Sequence, residues 1–106
     1  MSNPISTSSG EQNNNAIIVA RPAALTCVSV HTDGSNNASV TVFDSATAAN
    51  NGKKLGTWFI PAASRYGGRN VPVPVRANNG IYCEITAGAG YGGTYYVEYI
   101  DRDINS

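Results

Sequence analysis

Leu25-Thr26-Cys27-Val28-Ser29-Val30-His31-Thr32-Asp33-Gly34-Ser35-Asn36-Asn37-Ala38-Ser39-Val40-Thr41-Val42-Phe43-Asp44 decides the fold. Val28 and Val30 alternate with Ser29 and His31. Val40 and Val42 alternate with Ser39, Thr41 and Phe43. A two-residue apolar period belongs to a strand with one face in a core. Asp33 to Asn37, between the two runs, is a cluster of turn formers.

Outward from this pair the texture repeats. Ala16 to Ala20 is apolar and β-branched, and Arg21-Pro22 ends it. Leu55 to Ile60 follows the turn Asn50-Asn51-Gly52 and holds Trp58 and Phe59. These two are adjacent, so a strand sends them to opposite sides: one to the core, the other to a second surface. Val71-Pro72-Val73-Pro74-Val75 must be extended, and its prolines lack ladder donors, so it belongs at a sheet edge. Asn79-Gly80 makes another tight turn. After it, Ile81, Cys83 and Ile85 alternate with Tyr82, Glu84 and Thr86. Thr94 to Ile100 closes the series with Tyr95, Val97 and Tyr99 on one face.

No window shows a convincing helical apolar period, though Ser45 to Asn51 could form one turn. Short strands with regular turns predict an all-β protein: a single antiparallel β-sandwich, jelly-roll or Ig-like, of about seven strands. Short consecutive turns favour antiparallel neighbours. The sandwich spans residues 16–100. Residues 1–15, MSNPISTSSGEQNNN, form an extended polar N-terminal arm. Such a composition cannot fold alone and needs a neighbour to hold it. No core residue is expected there, so its removal should leave the domain folded. Residues 101–106 are a polar C-terminal tail.

The chain has 106 residues and a mass of 11.1 kDa. Folding at this size buries roughly 65% of the unfolded surface, enough for one core but not for a core plus a deep cleft. Charged residues make up 13% of the chain, and seven basic side chains balance seven acidic ones. A nucleic-acid partner is not expected without a basic excess. Zero net charge removes the repulsion that keeps monomers apart. No apolar run is long enough for a membrane helix. The N-terminus does not read as a signal peptide, so a cytosolic origin is expected, and Asn37-Ala38-Ser39 is read as a chance sequon.

The search for chemistry is largely negative. His31 is the single histidine, with no nucleophile signature around it. Glu84 and Glu98, on two late strands that could pair, are flanked by Tyr82, Tyr96 and Tyr99. They could serve as paired carboxylates or a sugar-binding face, or equally as a wet protein interface. Gly88 to Gly93 lacks the helix that an anion loop needs. Asp101 to Asn105 opens like a calcium loop but lacks its later ligands. Cys27 and Cys83 read as buried free thiols, with a disulfide across the sandwich as the alternative. No catalytic residue, cofactor or metal site is expected. The partner-interface candidates are Ile5 in the arm, Arg65, Tyr66 and Arg69 in a loop over Pro61 to Asn70, and Tyr91. Tyr and Arg are enriched at interface hot spots, and Gly67-Gly68 allows close approach.

The order of features resembles small virion structural proteins of tailed bacteriophages, especially capsid decoration or cement proteins. The matching pieces are Arg21-Pro22-Ala23-Ala24-Leu25, Val28-Ser29-Val30, Thr32-Asp33-Gly34 and Val40-Thr41-Val42-Phe43-Asp44. They continue in Asn79-Gly80-Ile81-Tyr82, Gly88 and Val97-Glu98-Tyr99. The likeness covers Ala16 to Ile100, and the Pro61 to Asn70 loop has no counterpart in it. It implies a non-enzymatic sandwich on the head shell, at junctions between major capsid proteins, as a homo-oligomer and often a trimer. The arm would reach onto a neighbour. Other expectations are a neck, tail or fibre-associated virion protein, and a carbohydrate-binding module.

Overall fold

The computed structural model describes residues 7–32, 37–47, 52–61, 66–87 and 93–101, of which 66–74, 87 and 101 are described as backbone only. Eight strands follow in order: β1 Thr7–Ser8, β2 Ala16–Val19, β3 Ala23–His31, β4 Ala38–Asp44, β5 Lys53–Ile60, β6 Tyr66–Ala77, β7 Ile81–Ala87 and β8 Thr94–Asp101. They build two four-stranded sheets, β1-β8-β3-β6 and β2-β7-β4-β5. Every pairing is antiparallel. The all-β expectation and each of its strands are present, and β1 is added from within the arm.

Alternation explains the core. Val28, Val30, Val40, Val42, Ile81, Cys83, Tyr95 and Val97 point between the sheets and are buried. Ser29, Thr41 and Glu84 fall on outer faces. Trp58 packs against the core while Phe59 faces out, 59% exposed. Both cysteines are free. Cys83 lies in the core, where burial pushes its thiol up to about 12. The register shift at Thr26 puts Cys27 opposite Glu98, on the face of Ser29 and away from Cys83. Burial first, and the Glu98 charge second, raise its pKa too.

Two expectations are corrected. Of the consecutive strands, β4 and β5 alone pair with each other; the remaining connections pass from one sheet to the other. Asn79-Gly80 therefore joins β6 to β7 across the sandwich and is not a hairpin turn. Asp44, at the end of β4, explains this corner. Its carboxylate accepts the N–H groups of Asn78 at 3.1 Å, Asn79 at 2.7 Å and Gly80 at 3.4 Å. Ser45 N donates to Gly80 O at 3.2 Å.

The Pro61 to Asn70 loop is also shorter than expected. Tyr66 to Asn70 are the first half of β6, in register with His31 to Cys27 of β3. Backbone pairing with β3 takes up these residues without an apolar pattern. Val71 to Pro74 then face the register shift at Thr26, between the pairs Cys27↔Asn70 and Leu25↔Val75. The two prolines thus sit on an edge strand at an irregularity, where missing donors cost least.

Candidate interaction surfaces

The arm is the first surface. Its described part, from Thr7 to Asn15, follows the chain's own β8. Thr7 and Ser8 pair with Tyr99 and Glu98. Ser9 N donates to Val97 O, and Gln12 and Tyr95 exchange two backbone hydrogen bonds, all at 2.8 Å. Fully buried Tyr95 donates its hydroxyl proton to Asn14 O at 2.7 Å, and burial raises its pKa. Asn15 Oδ1 accepts from Ile85 N at 2.9 Å, reaching the other sheet. The partner holding this segment is therefore the same molecule. No side chain of 7–15 is buried, so the hold is hydrogen bonding with little apolar contact.

Removing residues 1–15 therefore has a cost that composition did not suggest. It strips β8 of one of its two neighbours and leaves the Tyr95 hydroxyl without its acceptor. A loss of about 2–4 kcal/mol in urea unfolding is expected. An unchanged midpoint would show the strap to be dispensable.

The outer face of the first sheet is polar. Ser29 Oγ lies 3.3 Å from His31 Nε2. The His31 ring meets Tyr96 edge-on, with centroids 5.8 Å apart. Tyr96 donates to Glu11 Oε2 at 3.2 Å, and the Glu11 charge is the main cause of its raised pKa. Such a row, half-buried apart from exposed Glu11, offers polar groups to a wet interface.

The described tyrosine side chains, Tyr82, Tyr95, Tyr96 and Tyr99, do not form one array. Tyr95 is in the core and Tyr99 packs against it. Tyr82 is buried on the outer face of the second sheet, stacked on Phe43 at 6.0 Å and donating to Glu84 Oε2 at 3.0 Å. Burial first, then Glu84, raises its pKa. Glu84 and Glu98 stand in different sheets, so the pairing expected between their strands is not made. Among the described residues no group of three His, Cys, Asp or Glu is placed to hold a metal ion.

Of the expected interface residues, Ile5, Arg65 and Tyr91 lie outside the described residues. Tyr66 and Arg69 enter as backbone positions on β6, in register with His31 and Val28. They stand on an edge strand, not in a loop. Most of the Gly88 to Gly93 loop and the end of the Asp101 to Asn105 run also lie outside the described residues. Sequence reasoning missed the arm's own strand and the Asp44 corner.

Fold and surfaces define an antiparallel β-sandwich whose two outer faces differ: polar along β3 and β8, and carrying Phe43, Phe59 and Tyr82 on the second sheet. No protein-family model, curated protein or solved structure matches the chain.

Proposed function

We propose that this chain is a non-enzymatic structural protein of a tailed-phage virion. In this reading it is a capsid decoration or cement protein that binds the head shell as a homo-oligomer, with three copies as the expected number. Its partner is the major capsid protein, and its place is the virion.

One observation carries the reading: the strand order β1-β8-β3-β6 and β2-β7-β4-β5. The first strand lies beside the last, and the chain passes repeatedly between the sheets. This order supports a jelly roll over an Ig-like sandwich. Jelly rolls are a common architecture of viral shell proteins and of lectins. Dispersal of Tyr82, Tyr95, Tyr96 and Tyr99 into the core and onto separate faces favours the shell role over sugar binding. Zero net charge favours close self-association.

The test is the solution mass of the full chain by light scattering on a sizing column. A discrete closed oligomer of 11.1 kDa copies is expected. A monomer at every concentration would count against the oligomeric decoration role.

A further inference from the structure

We infer that the free edge of β5 is a docking site for a second copy of this chain, paired antiparallel about a two-fold axis through Thr57. The inference rests on the assembly reading and adds a two-fold contact to it.

Four strands end the two sheets. β1 has two residues. β2 has four, with a register shift between Ile17 and Val19. β6 carries Pro72 and Pro74, which have no N–H to give. β5 runs for eight residues without a proline and, among the described strands, has β4 as its one neighbour. Short length, irregularity, proline and lysine are the usual ways to blunt an edge. β5 has a register shift and two lysines at its first end, but from Gly56 to Ile60 it is regular, proline-free and uncharged. A strand left open in this way is a template for strand addition.

The order of side chains along β5 selects the occupant. Lys53 and Lys54 are exposed at one end, Thr57 at the middle and Phe59 near the other end. Among the described residues Phe59 is the more exposed of two large apolar side chains left open, at 59% against 45% for Ile17. Parallel pairing of two copies would set lysine against lysine, which is destabilising. Antiparallel pairing reverses the ends. Thr57 then meets Thr57, Gly56 meets Trp58, and Phe59 meets the bulged step at Lys54 and Leu55. The bulge is set by the register shift that β5 makes against Val42 and Phe43. Lys54 and Phe59 lie on the same outer face. Each lysine head therefore reaches the other copy's aromatic ring, a favourable cation–π arrangement. The like charges are held at opposite ends. Along this strand the chain is complementary to itself, and the contact extends the second sheet to twice its width.

The contact joins two trimers into six copies, or two single chains into a pair. Light-scattering mass of the full chain tests it. Phe59→Lys puts a lysine against Lys54 of the other copy, and the mass is expected to fall by half. Adding Lys54→Glu restores opposite charges and returns the mass. Thr57→Arg, which sets two arginines face to face at the axis, gives the same halving without touching either end. Unchanged thermal midpoints would show that all three variants stay folded. A wild-type oligomer whose mass survives both Phe59→Lys and Thr57→Arg overturns the β5 contact and leaves the assembly reading standing. A wild-type monomer overturns both.

Discussion

Gly80→Ala is expected to be the most damaging single change in the chain. A Cβ at this position would lie 2.5 Å from Val19 O and 2.8 Å from Ser45 O, with Ala46 Cα at 3.1 Å. All three are backbone atoms on segments leaving β2 and β4, so no side-chain rotation relieves the clash. The φ of +157° adds a conformation that residues with a Cβ rarely adopt. Overpacking usually costs about 1–3 kcal/mol, and backbone crowding from two sides puts this site above that range. We expect a loss of roughly 3–5 kcal/mol, among the large values seen for single substitutions. In a domain of this size that lowers the melting temperature by on the order of 15–30 °C. A melting temperature within a few degrees of wild type would mean that the corner yields easily and does not hold the sheets.

Asp44→Ala comes next and acts on the same corner from the opposite strand. Asp44 is 7% exposed, and its carboxylate serves three backbone N–H groups. Hydrogen bonds to a charged acceptor contribute about 1.5–3 kcal/mol, and stranded donors add a desolvation cost. We expect a loss of about 3–4 kcal/mol in urea unfolding for Asp44→Ala, and a smaller one for Asp44→Asn, which keeps one acceptor oxygen. The Gly80→Ala and Asp44→Ala losses should add to less than their sum, because each releases the junction that the other needs. Full additivity would show that carboxylate and glycine act independently.

These two residues also mark where sequence reasoning ran out. Alternation placed Val28, Val40, Cys83 and Val97 in the core because a side-chain period of two is local. Which strands become neighbours is a different question. Asp44 meets a segment 34 to 36 residues further along the chain, and nothing near Phe43-Asp44 announces that partner. Asn79-Gly80 carries the chemistry of a hairpin, yet the same conformational freedom serves a crossing between sheets. Thr7 and Ser8 have no apolar signal, and they pair because β8 presents an open edge. Tyr66 to Asn70 were hidden in the same way beside β3. At the surface, an exposed Trp or Phe was legible as a pair, since adjacent residues must part. That Phe59 would be the outward one depended on the register with Ser39 of β4.

A place in the virion is tested most directly by the composition of virus particles. Tailed-phage particles from lysed cells that carry this gene would be purified by density gradient, separated into heads and tails, and analysed by peptide mass spectrometry. Peptides of this chain are expected in the head fraction, in a fixed ratio to the major capsid protein. Their absence from particles, with the chain abundant in the same lysate, would contradict it.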